Sequence, residues 1–174
     1  MAEIETEYEE NKVKLPNRLP VSIIMECRPS SSEWASEYWQ AVGVVVGSRS
    51  NDSNNKPHKI YDEQGVQRYL HPGFWLKLHV DECESYYHNL VSPTPRCYVI
   101  TQAGEDKVPQ PLLVSMSFDE AHAYLEGDDD IFAIDIPPEA YIWTEAFVIA
   151  NYFPQKKTKR KLNDWKETKD RRFT

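Results

Sequence analysis

No apolar run in the 174 residues approaches the ~20 needed to span a bilayer, so the sequence argues against a transmembrane helix. Met1 to Asn11 is acidic and lacks the basic and apolar regions of a signal peptide, and a cytoplasmic protein is expected. Cysteine is scarce. Cys27, Cys83 and Cys97 are odd in number, widely spaced and form no C-x-x-C pair, which speaks against a disulfide scaffold or a zinc knuckle. Small buried hydrophobes are the simpler role for them. Glycine is scarce too, six residues against twelve prolines, a balance that favours turns and rigid connectors. Cofactor and nucleophile motifs are missing: there is no G-x-G-x-x-G and no G-x-S-x-G. Gly43 to Gly47 lacks the G-K-[ST] ending of a phosphate loop, and the valines between its glycines read as strand.

What is present supports one folded unit. Apolar residues make up 40% and aromatics 12%, enough for a core at this length. Charge is unevenly spread around a net of −8. Residues 1–12 carry five acids and one lysine, residues 155–174 nine bases and three acids, and residues 13–154 ten bases and twenty acids. The folded part should therefore repel nucleic acid. The organisation expected is an acidic disordered arm over 1–16, a single α+β domain over 17–154 and a basic disordered tail over 155–174.

Within the domain, Val21 to Cys27 is a β-rich run that Pro29 ends. Glu33 to Gln40 places Trp34, Tyr38 and Trp39 at near-helical spacing and predicts one short helical turn. Trp39 to Val46 reads as a valine-rich strand, and Gly47 to Pro57 as a long polar loop. Lys59 to Asp62 and Val66 to Leu70 form a hairpin around Gln64-Gly65. Phe74, Leu76, Leu78 and Val80 alternate with Trp75, Lys77, His79 and Asp81, the period of a half-buried strand, and an acidic aromatic connector follows to Leu90. Arg96 to Thr101 and Leu112 to Ser117 make a second hairpin. Helices come late. Ser117-Phe118-Asp119-Glu120 has capping-box spacing and predicts a helix to about Glu126, with Gly127 as its stop. Pro137-Pro138-Glu139 opens a second helix, apolar nearly all round to Ala150 and ended by Pro154. Such a helix is buried or turns half of itself to a partner. The fold expected is an antiparallel sheet or partly closed β-barrel with two C-terminal helices.

Candidate chemistry is thin. His79, Asp81 and Cys83 alternate on the expected strand and could share a face, holding a metal with His71 or His88. A polar strand face beside a turn accounts for the same pattern, and no metal or other cofactor is expected. Glu126, Asp128, Asp129 and Asp130 lack the alternating acids and central glycine of a calcium loop. Cys83 and His88 could be nucleophile and base, but no third orienting group is identifiable. The aromatics carry more weight. Trp34, Trp39, Trp75, Tyr86, Tyr87 and Trp143 exceed what one small core needs and are the partner-binding candidates, the alternative being that they fill a β-rich core. The basic run Lys156, Lys157, Lys159, Arg160 and Lys161 could contact phosphates, dock on an acidic protein or fold back onto the acidic domain.

Several segments occur in order over residues 19–154: Pro20 to Glu26 with Arg28-Pro29, Trp39 to Val44, Leu70 to Phe74, Asp81-Glu82 with Glu84 and Tyr86-Tyr87, Asn89-Leu90 with Ser92-Pro93, Pro137-Pro138-Glu139 and Phe147-Val148. Together they resemble a family of small proteins of unknown function, found mainly in proteobacteria and often encoded beside molybdenum-dependent formate dehydrogenases and their maturation factors. Cys27 stands where that family tends to have a basic residue, and the loop over 48–57 is longer here. The resemblance brings no catalytic residues. It implies a non-catalytic accessory or adaptor protein in the maturation or assembly of such a formate dehydrogenase, acting on an oxidoreductase subunit or a maturation factor. Two other functions stay open on the residues alone. One is a nucleic-acid-binding protein acting through its basic tail, and the other a small metal-dependent enzyme using His79, Asp81 and Cys83. A homodimer is compatible with the same surfaces.

Overall fold

Apolar alternation from Leu19 onward builds the first strand, β1 (Arg18–Pro29). A computed structural model describes it together with the rest of residues 16–47, 55–125, 127 and 129–154. Val21, Ile23 and Met25 enter the core, and alternation turns Ser22, Ile24 and Glu26 to the opposite face of the sheet. β2 (Glu37–Val46) and β4 (Val66–Lys77) pair antiparallel on either side of β1, and β3 (His58–Glu63) adds the outer strand, giving the order β2-β1-β4-β3. The β3–β4 hairpin turns at Gln64 and Gly65, both at positive φ (53° and 80°), as a two-residue primed turn requires. A second antiparallel sheet has the order β6-β5-β7, from β5 (Arg96–Ala103), β6 (Pro109–Ser115) and β7 (Asp130–Asp135). Pro109 and Pro111 lie in the outer strand β6, where proline is tolerated.

Among the described residues, three α-helices complete the domain: α1 (Cys83–Leu90), α2 (Phe118–Tyr124) and α3 (Pro138–Asn151). Tyr86 and Leu90 of α1 and Ala140, Trp143, Phe147 and Val148 of α3 meet Leu76, Val99, Val114 and Ile134 of the two sheets in one core. The start of the described chain is tied down. Trp143 Nε1 donates to the Pro16 carbonyl at 2.8 Å, and Leu78 N–H to the Asn17 carbonyl at 2.8 Å.

Both hairpins, the Ser117 cap and the proline-led last helix are as expected. Four expectations are corrected. The strands form two separate sheets, so the sheet is not closed into a barrel among the described residues. The helical turn over Glu33 to Gln40 does not form; pairing of Arg28 with Tyr38 and of Cys27 with Trp39 draws those residues into β2. β4 is one strand through Pro72-Gly73, where a bulge absorbs the extra residue opposite β1, with Gly73 at φ 89°. It ends at Lys77, so Val80 to Asp81 lie in a short 3₁₀ turn rather than a strand. The acidic aromatic connector is itself a helix over 83–90, so the described residues hold three α-helices where two C-terminal ones were expected: Cys83, Tyr86 and Leu90 are buried at the i, i+3, i+7 spacing of one helical face.

Candidate functional site

Six aromatics are the partner-binding candidates, and the fold separates them. Trp34 stands at the β1–β2 turn, 94% exposed. Trp75 and Tyr87 are exposed as well, with the Arg18 guanidinium 4.6 Å above the Trp75 ring. Trp39 is partly buried against the core, its ring 5.7 Å from that of Tyr69. Tyr86 and Trp143 are core residues, which takes them off the surface. The Tyr86 hydroxyl accepts a hydrogen bond from His79 N–H at 3.0 Å, its ring meets Phe147 edge-on at 6.5 Å, and burial raises its pKa well above the ordinary range. A buried tyrosine is satisfied inside the fold and offers nothing to a partner.

The apolar surface lies elsewhere, on α3. One side of this helix enters the core. Its flank leans on α1: Tyr141 donates to the Leu90 carbonyl at 3.4 Å, and Tyr152, just past the helix, stacks on Tyr87 at 5.2 Å. The opposite side carries Ile142, Ile149 and Ala150, all exposed, with half-buried Ala146 between them, and Phe153 follows beyond the helix end. Ile142 is 65%, Ile149 76% and Phe153 79% exposed. Apolar surface arranged as a helical stripe in this way marks an interaction site more often than an isolated exposed leucine does. The charges within α3 are Glu139 and Glu145, and the helix itself contains no base.

A cleft of about 510 Å³ opens between α1, the start of α2 and β5. Asp81, Glu82, Glu84 and Asp119 give it an acidic rim, His88 and Ser92 add polar groups, and Tyr98 with Phe118 forms an aromatic wall, ring centroids 5.9 Å apart. Glu82, Ser85 and Asn89 of its lining also join hydrogen bonds that tie the surrounding elements together. Ser117 caps α2 by accepting from Glu120 N–H at 3.0 Å, donates to Glu82 at 2.7 Å and lies 3.0 Å from the Ser85 hydroxyl. Ser115 accepts from Ser117 N–H and bonds the Glu120 carboxylate, so the capping box closes through a relay hydroxyl. Asn89 donates to the Arg96 and Met116 carbonyls at 2.7 and 2.9 Å and accepts from Arg96 N–H at 3.0 Å, pinning α1 to β5. Ser117→Ala should lower stability by about 1–2 kcal/mol through loss of the cap, as read from the urea midpoint, and Ser117→Thr should restore part of it. A midpoint unchanged in Ser117→Ala would mean the network carries no stability.

Cys83 is buried, its sulfur directed at the His79 carbonyl 3.9 Å away, and burial together with Asp81 raises its thiol pKa. A raised pKa keeps a thiol protonated and unreactive. His88 is exposed and lies 3.8 Å from Glu84 across one helical turn. The strand face that His79, Asp81 and Cys83 were expected to share is not formed, because Asp81 lies in the 3₁₀ turn and Cys83 in α1. Among the described residues no three His, Cys, Asp or Glu side chains converge as a metal-holding group. Glu126 and Asp128 of the acidic turn lie outside the described residues, as do Lys156, Lys157, Lys159, Arg160 and Lys161.

The sequence reading missed Glu26. It is fully buried on the outer face of the first sheet, opposite Gln40 on β2 and Arg68 on β4. Arg68 Nε donates to it at 2.7 Å, Gln40 Nε2 at 3.0 Å, and Arg28 Nε also bonds it. Burial alone would raise its pKa, but the bonds from Arg28, Arg68 and Gln40 outweigh this and hold it at about 2. The signal available was a lone acid inside the apolar run Val21 to Cys27, with an arginine two residues on.

A family model described as "Protein of unknown function (DUF3305)" matches residues 20–161, and the chain belongs to that family. No curated protein and no solved structure matches the chain.

Proposed function

We propose that this family member is a non-catalytic accessory protein that recognises a protein partner through the exposed face of α3. The observation that carries the reading is the exposed stripe of Ile142, Ile149 and Phe153 on a helix whose other side is firmly seated in the core. Rigid backing lets such a surface bind without ordering cost, and Tyr87 with its stacked neighbour Tyr152 supplies an aromatic rim. The resemblance of the ordered segments over 19–154 to proteins encoded beside molybdenum-dependent formate dehydrogenases supports an oxidoreductase subunit or a maturation factor of such an enzyme as the partner. Charge on the acidic body would steer the encounter.

The test is capture from native cells with the full chain as bait, compared with an Ile142→Asp/Ile149→Asp variant. Both positions are solvent-facing, so the variant should keep the parental melting temperature. An oxidoreductase subunit or maturation factor should co-purify with the parent and fall about tenfold or more with the variant. Absence of any such protein, or equal capture by the variant, would overturn the reading.

A further inference from the structure

The period that buries one side of α1 also lays out its polar side. From the 3₁₀ turn through α1, Asp81, Glu84, Ser85, His88, Asn89 and Ser92 recur every three or four residues and line the cleft. Another wall is aromatic. Phe118 opens α2, meets Tyr98 edge-on at 5.9 Å and lies against the His122 ring at 3.7 Å. The buried polar groups of the lining are already engaged. Asn89 is bonded to Arg96 and Met116, Ser85 lies 3.0 Å from the Ser117 hydroxyl, and Ser92 donates to the Asn89 carbonyl at 2.7 Å. The exposed acids are not engaged in this way. Among the described residues no lysine or arginine forms an ion pair with Asp81, Glu84 or Asp119, and Glu84 has only His88 at 3.8 Å. Neither lysine nor arginine lines the cleft. We propose that this cleft binds a guanidinium group carried on an alkyl chain, its plane stacked on Phe118 or Tyr98 and its N–H groups donating to Asp81, Glu84 or Asp119.

Concavity, ring and acid together select the ligand. Carboxylates alone attract any cation, and they do so over the whole of an acidic domain. An aromatic wall discriminates. Guanidinium is weakly hydrated, stacks on rings and forks to carboxylates, whereas an ammonium is a compact, strongly hydrated point charge. A metal ion fits less well, since no three ligating side chains converge among the described residues. At about 510 Å³ the cleft falls within the ~300–1,000 Å³ of small-molecule sites. The group could arrive on a free small molecule or as the arginine side chain of a protein, and the chemistry read by the cleft is the same.

The test is titration of the ¹⁵N-labelled full chain, followed by amide shifts, with butylguanidine, butylamine and a capped Gly-Arg-Gly peptide. Butylguanidine should give saturable shifts centred on residues 81–92 and 117–119, with an affinity about threefold or more above that of butylamine. A tighter peptide would assign the group to a protein arginine, and a peptide that fails to bind would assign it to a free small molecule. Phe118→Leu removes an exposed ring and should weaken butylguanidine roughly two- to fivefold while changing butylamine less. Glu84→Gln/Asp119→Asn should weaken both amines roughly three- to tenfold. Equal affinity for butylguanidine and butylamine would overturn the proposal. So would shifts at the cleft no larger than those at the exposed Asp62 and Glu63 of β3. The parental titration decides both points even where a variant fails to fold. No residue of α3 lines the cleft, so the outcome is independent of the capture experiment.

Discussion

Glu26→Ala is expected to destabilise the domain by about 2–3 kcal/mol, the loss of charge-assisted hydrogen bonds to a buried carboxylate whose arginine partners are half exposed. The substitution removes a fully buried carboxylate and leaves Arg28, Arg68 and Gln40 without their shared acceptor on the sheet face. Glu26→Gln keeps the volume and one acceptor oxygen but loses the charge, and should cost less. The same residue sets a pH dependence. Its pKa falls from an ordinary 4.5 to about 2 on folding. A carboxylate held low in the folded state contributes stability above its unfolded pKa, and that contribution is lost as pH falls towards the folded value. At 1.36 kcal/mol per unit, the amount lost between pH 4.5 and pH 2 is about 3 kcal/mol, less whatever solvent at the half-exposed arginines screens. Urea midpoints of the parent and Glu26→Gln should therefore converge as pH drops from 5 to 2. Parallel curves would show that the cluster stores no such energy.

Tyr86→Ala is the second large effect, about 3–5 kcal/mol from the cavity left by a fully buried aromatic, or roughly 10 °C in melting temperature. The ring packs between α1 and α3 against Phe147, and the hydroxyl holds the backbone of His79 where the chain leaves β4. Tyr86→Phe separates the two contributions: it retains the ring and should cost about 1 kcal/mol, the net worth of one hydrogen bond. A Tyr86→Ala variant as stable as the parent would contradict the assignment of this residue to the core. Because Tyr87 beside it is exposed, Tyr87→Ala provides the contrast and should fall within about 0.5–1 kcal/mol of the parent.

That pair shows how far the sequence could be read. Tyr86-Tyr87 is a dipeptide in which helical geometry sends one ring into the core and the other towards solvent. Seen as an acidic connector, both looked available to a partner. The buried spacing of Cys83, Tyr86 and Leu90 was present in the sequence, but short helical and short strand runs give nearly the same signal over eight residues. The metal trio failed for the same reason, since its shared face existed only while Val80 to Cys83 was taken for strand. The hairpin at Gln64-Gly65, the Ser117 cap and Pro138 at the start of α3 were legible because each rests on chemistry within four residues. The α3 stripe was half legible: a helix apolar all round must hide both sides or show one, and sequence cannot say which.

The order of residues alone determined the strands that pair through short turns, the Ser117 cap of α2, the proline-led start of α3, and the split of charge between an acidic body and a basic segment. All of these depend on near neighbours, whose geometry is fixed by local sterics and hydrogen bonding. Tertiary structure decided that the strands divide into two sheets rather than a barrel, that Glu26 meets Arg68 from forty-two residues away, and that α3 turns Ile142 and Ile149 outward. Those outcomes follow from which faces find cover in the one core, a competition among distant segments that no short stretch of sequence encodes.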